Sequence, residues 1–318
     1  MEEPRRILVV KLGALGNIVL SMGPFANIRR HHPTAHITLL TTAPYADWTA
    51  KAPYFDTVWI DDRPDWWNVP GWLRLRRRLI GGHFDRVYDL QTSSRSSRYF
   101  QLWPRRKRPE WSGIARGCSF PDSDPDRDRL YDIDRQYGQL RQAGIEEHEP
   151  IDLSWLHGNI ARFELPRDFA LLAPGSAPHR LAKRWPVGNY TKLAAALVAR
   201  GLTPVIVGGI VERPLAKTIL TGAPGAIDLT RRTSFGDLAS LGRAARVAIG
   251  NDTGPMHLFS AVECPSIVLF SHDSDPALCA PCGPSVEILQ RPHLDQLGLS
   301  TVLDAVAKLA RTEALATG

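Results

Sequence analysis

The chain has little of what marks secreted, membrane-spanning or metal-clustered proteins. Four cysteines in 318 residues, Cys118, Cys264, Cys279 and Cys282, are too few and too scattered for a disulfide framework. Cys279-Ala280-Pro281-Cys282 has no second ligand pair, which argues against structural zinc. Nor does it stand at the helix start after the first strand, where a redox pair belongs, so two reduced thiols are expected. No run approaches the ~20 apolar residues that span a bilayer. Met1-Glu2-Glu3-Pro4-Arg5-Arg6 leads straight into a strand-like segment without a signal peptide, so a cytoplasmic location is expected. Acidic residues are outnumbered, 33 against 39 Lys and Arg, for a net charge of +6. The excess is concentrated in the first half. Arg74, Arg76, Arg77 and Arg78 form one cluster, and Arg95, Arg98, Arg105, Arg106, Lys107 and Arg108 another. Such clusters attract nucleic acid, anionic lipid headgroups or an acidic glycan, or they are simply a solvated helix face. No nucleic-acid motif of defined spacing accompanies them, so no nucleic-acid partner is expected.

What is present is a repeated alternation. A hydrophobic content of 43% is ordinary for a globular chain, and the length accommodates two domains. Arg6–Leu12 is a near-continuous apolar run of buried parallel-strand type, followed by a Gly13-Ala14-Leu15-Gly16-Asn17 turn. Ile18, Met22, Phe25 and Ile28 then follow at helical spacing, with Pro24 either kinking the helix or marking its start. His36–Leu40, Thr57–Ile60 and Arg86–Leu90 read as strands, with helices near 44–51 and 70–80. Residues 104–135, rich in Pro, Asp, Arg and Ser, read as an irregular excursion before a helix at Arg135–Ala143. Residues 151–166 read as the linker between an N-terminal domain over 1–150 and a C-terminal domain over 167–318. The alternation restarts with strands at Phe169–Ala173, Thr203–Val207, Ala226–Leu229, Val247–Ile249, Ser266–Phe270 and Val286–Leu289. A last helix near Ser300–Thr312 closes the chain, and its apolar face could pack back on the first domain. The expected fold class is α/β, two Rossmann-like doubly wound domains facing across a cleft at the carboxyl ends of their strands.

Five stretches are candidates to carry chemistry. The first turn is Gly-x-x-Gly rather than Gly-x-Gly-x-x-Gly, and the second strand ends in Thr41-Thr42 with no acid for a ribose, so a nicotinamide site is not expected there. Gly250-Asn251-Asp252-Thr253-Gly254-Pro255-Met256-His257 runs from a strand end into a helix start. Pro255 suits the first turn, and Asp252 or Thr253 can cap it. The resulting helix N-terminus is a site for phosphate, or else an ordinary capped turn. Pro174-Gly175-Ser176-Ala177-Pro178 leaves another strand end, and Lys183-Arg184-Trp185-Pro186 follows, so a flexible loop can bring a cation to a diphosphate. Gly208-Gly209 ends the next strand, and the Glu212 carboxylate can accept hydrogen bonds from ribose hydroxyls or simply favour a helix start. Asp273-Ser274-Asp275 has the Asp-x-Asp form used to hold a metal-bound sugar nucleotide, a pattern with a high chance rate.

Together these segments resemble glycosyltransferase family 9, the ADP-heptose:lipopolysaccharide heptosyltransferases. The matching stretches are Ile7–Pro24, Ala173–Pro186 with its Lys-Arg-Trp-Pro, Gly208–Glu212, Leu229–Leu241 and Val247–Phe270, in order along the chain. The resemblance implies a GT-B fold and inverting transfer of heptose from ADP-heptose to a lipopolysaccharide inner core, with no cofactor and no metal. It places Lys183 at the donor phosphates, Ser176 in the same loop, Glu212 at the ribose, and Asp252, Thr253 and Gly254 at the diphosphate with His257 nearby. Gly13, Gly16, Arg95 and Arg98 fall to the acceptor, an acidic glycolipid, which implies peripheral association with the inner membrane. One departure matters. The family's first loop usually carries an aspartate as general base, and this chain has Asn17, an amide that cannot take a proton at neutral pH. Asp89 or Asp273 could replace it, transfer could run on leaving-group stabilisation with Lys183, or the protein could bind a nucleotide-sugar without turning it over.

Overall fold

A computed structural model describes the backbone of residues 3–177 and 179–316 and the side chains up to residue 309. The chain divides into two compact units, Met1–Trp155 and Leu156–Gly318. The first carries β1 (Arg6–Val10), β2 (His36–Thr41), β3 (Thr57–Ile60), β4 (Arg86–Asp89), β5 (Glu110–Gly113) and β6 (Phe120–Pro121). The second carries β7 (Phe169–Ala173), β8 (Thr203–Ile206), β9 (Ile227–Asp228), β10 (Val247–Asn251), β11 (Ser266–Phe270) and β12 (Val286–Gln290). Each sheet is parallel throughout. Their orders are β3-β2-β1-β4-β5-β6 and β12-β11-β10-β7-β8-β9. Counted from the start of each unit, both are the doubly wound order 3-2-1-4-5-6, so the reversal point lies beside the first strand, between β1 and β4 and between β7 and β10.

The central strands are apolar runs because both of their faces are covered. Ile7, Leu8, Val9 and Val10 are buried, as are Phe169–Ala173 and Ser266–Phe270. Helices supply the cover. Leu75 and Leu79 of the helix Val69–Gly81 enter the first core together with Val87 and Trp111. In the second unit Tyr190, Leu193 and Leu197 pack with Val302, Val306 and Leu309 of the last helix, Leu299–Ala316. Pro24 sits in the first turn of a helix that starts at Met22, after a break at Ser21 from the short helix Leu15–Leu20. A proline there forfeits no helical hydrogen bond, which is why the helix begins at this point.

The reading of 104–135 as irregular is corrected. β5 and β6 lie inside it and extend the first sheet beyond β4. They are four and two residues long. Trp111 alone supplies a large core side chain, packing edge-on near Trp103 and Phe100, so no apolar run announces either strand.

Candidate active site

In the second unit the loop leaving β7 is fastened to one buried amide at the end of β10. Asn251, the last residue of β10, donates from Nδ2 to the carbonyls of Pro174 (2.8 Å) and Gly175 (3.1 Å). Its Oδ1 accepts from the Trp185 amide (3.0 Å) and the Tyr190 hydroxyl (3.1 Å). Trp185 is itself buried and donates its indole N–H to the Leu297 carbonyl at 2.9 Å. The turn Leu181–Lys183 is therefore pinned from below, and Lys183 is delivered to the start of the helix Gly254–Ala261.

There Lys183 Nζ meets Asp252 Oδ2 at 2.5 Å, with the two side chains 13% and 7% exposed. The Ser274 hydroxyl donates to the same carboxylate oxygen at 2.6 Å. The expectation that Asp252 or Thr253 caps the helix is corrected. Thr253 occupies the N-cap position in extended conformation, but no side-chain cap bond forms, because the Asp252 carboxylate is engaged by an ammonium. The same carboxylate oxygen takes the ammonium and the Ser274 hydroxyl, two side-chain donors that hold it away from the helix amides. The first amides of the helix are thus left without a side-chain cap beside a lysine. His257, one turn in, is buried.

Ser176 is buried in the β7 loop. Its hydroxyl donates to the Arg180 carbonyl (2.9 Å) and accepts from Arg184 Nε (3.0 Å), while Arg184 also donates to the Ser176 carbonyl (3.1 Å). Pro178 of this loop lies outside the described residues. Arg180 reaches the Asp273 carbonyl at 3.0 Å, so the loop is tied to the segment after β11. Glu212 is buried in the β8 loop, accepting from the Gly209 amide at 2.7 Å. Its carboxylate presses on Gly175, where a Cβ would fall 2.6 Å from Oε1, so only glycine allows the two loops this approach. Ser176, Lys183, Glu212, Asp252, Thr253, Gly254 and His257 are thus gathered at the carboxyl edge of one sheet. Asp275 caps the helix Pro276–Cys279 through the Ala277 amide, and Asp273 Oδ1 lies 3.5 Å from His272. Among the described residues no three His, Cys, Asp or Glu side chains converge as a metal site.

The first unit presents a cavity of about 520 Å³ at its own reversal point, lined by Gly13, Thr42, Tyr45, Arg63, Gln91 and Arg95 among others. Gly13 (φ +125°) lets the loop pass against Tyr45, whose Cε2 would lie 2.6 Å from a Cβ. Arg95 donates to the Pro64 carbonyl at 3.0 Å, and its Nη1 is buried with no hydrogen-bond partner among the described residues. Of the other acceptor-side residues, Gly16 is buried in the short helix, and Arg98 lines a separate open groove. Asn17 is exposed in the first turn of that helix, which carries no acid.

Asp89 is fully buried at the end of β4. Oδ1 accepts from the Thr92 amide at 3.1 Å, Oδ2 has no hydrogen-bond partner among the described residues, and burial pushes the carboxyl pKa up to about 7. Lys11 lies beside it, also buried and lowered by desolvation, and donates to the Leu90 carbonyl at 3.0 Å. A carboxyl sealed in this way cannot reach an acceptor hydroxyl.

A family model described as glycosyltransferase family 9 (heptosyltransferase) matches residues 72–301. The chain belongs to that family. It is 24% identical to lipooligosaccharide heptosyltransferase 2 of Haemophilus ducreyi over 88% of this chain and 84% of the relative. A match to lipooligosaccharide heptosyltransferase 2 of Haemophilus influenzae is 30% identical but local, spanning 29% of this chain and 28% of the relative's length. Among solved structures, E. coli ADP-heptose lps heptosyltransferase II superposes with a TM-score of 0.78 at 19% identity, covering 97% of this chain and 99% of that one. The shared architecture is GT-B, and this chain is a glycosyltransferase by family.

Within the family site, two residues had escaped assignment. Asn251 lay inside the motif yet stayed unassigned because its four partners come from 61 to 77 residues away. Ser274 was passed over between two more conspicuous aspartates. An apolar strand ending in an amide next to Asp-Thr-Gly is the signal that could have marked the first. Nothing in the sequence marks the second.

Proposed function

We propose that this family 9 protein transfers heptose, with inversion and without a metal ion, from ADP-heptose to a lipopolysaccharide-type acceptor at a membrane surface. The reading is carried by one observation, the Lys183 ammonium held by Asp252 beside the uncapped helix start at Gly254. In this reading Lys183 and the Gly254 amide at the helix start receive the donor diphosphate and stabilise it as it leaves. Asp252 and the diphosphate are both hydrogen-bond acceptors, so Asp252 acts on phosphate through Lys183 and has its second oxygen for a sugar hydroxyl. Ser176 orders the β7 loop through Arg184, and Glu212 accepts from the ribose. Exposed Ile210 and Val211 beside Glu212 give the nucleobase an apolar surface. The cavity with Gly13, Arg63 and Arg95 takes the acidic acceptor, its two guanidinium groups supplying the positive charge.

Asn17 cannot serve as base. With Asp89 sealed, Asp273 is the remaining carboxylate of those weighed. It is half-exposed on the donor loop and next to Ser274, which bonds Asp252. Incubation with ADP-heptose and a heptose-deficient lipopolysaccharide should release ADP and form product, and Lys183→Ala should abolish both. Calorimetric titration with ADP, UDP, GDP and NAD should favour ADP. Binding of NAD with none of the diphosphates would overturn the reading.

A further inference from the structure

The segment between β3 and the arginine-rich helix exposes side chains that a folded chain ordinarily buries. Trp66 and Trp67 are 76% and 63% exposed, and Val69 and Leu73 are 60% and 44%. The two indoles stand edge to face, 5.3 Å apart. Monomers rarely leave an apolar patch of this kind uncovered, and tryptophan carries the largest apolar area of any side chain to be covered. The patch is also rigidly built. Trp72 Nε1 donates to the Asp65 carbonyl (3.0 Å), Asn68 caps the helix through the Gly71 amide (2.9 Å), and Arg95 donates to the Pro64 carbonyl (3.0 Å). Holding it in place therefore requires no ordering when a partner arrives.

Val69, Leu73 and Arg77 recur at four-residue spacing opposite the buried Leu75 and Leu79, so one helix face runs from apolar to cationic. Over residues 62–81 five exposed arginines face two exposed aspartates. Beside Trp66 an open groove of about 370 Å³ is lined by Trp72, Leu102, Gln101 and Arg98. Indoles at a tip, arginines behind them and an apolar slot between match the headgroup and upper acyl region of an anionic bilayer. A protein partner would call for acidic residues and a concave apolar counterpart, whereas the bilayer supplies charge and fluid apolar surface together.

We propose that this face, Trp66 to Arg77, docks the protein on an anionic phospholipid surface, Trp66 and Trp67 entering the headgroup layer and Arg76 and Arg77 meeting lipid phosphates. The proposal rests on the reading of the acceptor as a membrane glycolipid, and it gives that reading a place on the chain. Arg95 links the two, since it lines the acceptor cavity, bonds Pro64 and lies over the Trp72 ring at 5.5 Å.

The test uses the full chain with vesicles of phosphatidylglycerol and phosphatidylcholine, or phosphatidylcholine alone, with and without brominated acyl chains. Binding is expected on the anionic vesicles only, with bromine quenching of tryptophan fluorescence and release at high salt. The double variant W66S/W67S should bind at least roughly tenfold more weakly and lose the quenching. R76E/R77E should bind weakly at low salt. W66S/W67S should unfold at the wild-type midpoint, because the replaced side chains are exposed, and R76E/R77E slightly below it, because Arg76 Nε gives up its bond to the Leu102 carbonyl. Equal vesicle binding by W66S/W67S, or none by the wild type, would overturn the proposal, as would a wild-type dimer that this variant converts to monomer. Transfer to a delipidated oligosaccharide separates the two readings. If transfer fails while wild-type docking and its loss in the variant hold, the acceptor assignment falls and the docking face stands.

Discussion

The Lys183–Asp252 pair offers the sharpest test, because stability and turnover should respond to its two halves differently. On an exposed surface such a pair would contribute well under 1 kcal/mol. Here the side chains are 13% and 7% exposed, and among the described residues the other hydrogen-bond partner of the carboxylate is the Ser274 hydroxyl. Lys183→Met keeps the aliphatic stem and leaves a buried carboxylate with one neutral donor, at a cost of roughly 3–5 kcal/mol. Asp252→Asn leaves a buried ammonium facing an amide oxygen and should cost less, roughly 2–3 kcal/mol. The double variant has no charge to strand. It should be at least as stable as Lys183→Met, which means a coupling of roughly 2 kcal/mol or more in a double-mutant cycle.

Turnover should divide along another line. Lys183→Met and the double variant should both lose transfer, by roughly 100- to 1,000-fold, since both lack the cation at the leaving diphosphate. Asp252→Asn should keep a larger share of activity. Urea unfolding of the full chain measures the first set, and ADP release from ADP-heptose the second. Stability losses that add to within about 0.5 kcal/mol would refute the coupling. A double variant that regains transfer would remove Lys183 from the leaving group.

Three further outcomes are expected. Asp89 holds its proton to about pH 7 when folded, against about 3.9 for an ordinary aspartate. The unfolded chain releases that proton first, so wild-type stability falls as pH rises from about 4 to 7; Asp89→Asn should remove that fall, gaining roughly 3–4 kcal/mol at pH 8 and little at pH 4, as urea titrations at the two pH values will show. Asn17→Asp puts a carboxylate in a helix turn that has none, so transfer at pH 7 should rise by roughly 100-fold or more if position 17 faces the acceptor hydroxyl; unaltered transfer would place the base elsewhere. Asn251→Ala orphans two carbonyls, an amide and a hydroxyl in the core of the donor loops and should destabilise by roughly 3–5 kcal/mol in the same unfolding assay, while weakening ADP binding measured calorimetrically.

What the sequence disclosed followed physical reach. Central strands are legible because burial on both faces writes a run such as Ile7–Val10 or Ile267–Phe270, and the caps of helices are written nearby. β5 and β6 escaped because a strand at the end of a sheet needs only Trp111 to hold it, and Pro, Arg and Asp around it read as loop. The loops at the carboxyl edge of the second sheet were legible as a set, since each follows an apolar strand and carries glycine. Its connections were not. Lys183 and Asp252 stand 69 residues apart, whereas the helix that Asp252 or Thr253 could cap is adjacent to both. Only the folded arrangement shows that the ammonium and the Ser274 hydroxyl hold the carboxylate.

Both units solve one problem at the same place, which explains where pH should matter. In each, the loop after the first strand must be fastened to the end of the fourth strand across the reversal point. In the second unit the fourth strand ends in Asn251, whose amide has two donors and an acceptor, and all are used. In the first unit the fastening is Lys11 Nζ to the Leu90 carbonyl and the Leu12 amide to Gln91 Oε1 at 2.8 Å. The fourth strand there ends in Asp89, with one oxygen unpartnered among the described residues. An amide cannot titrate, so the fastening of the β7 loop to Asn251 does not change with pH. The first unit, to which the proposed function gives the acceptor, rests on a carboxyl that changes charge near pH 7. Any change in turnover that follows Asp89 should therefore appear in the KM for acceptor rather than for donor, and Asp89→Asn should flatten it.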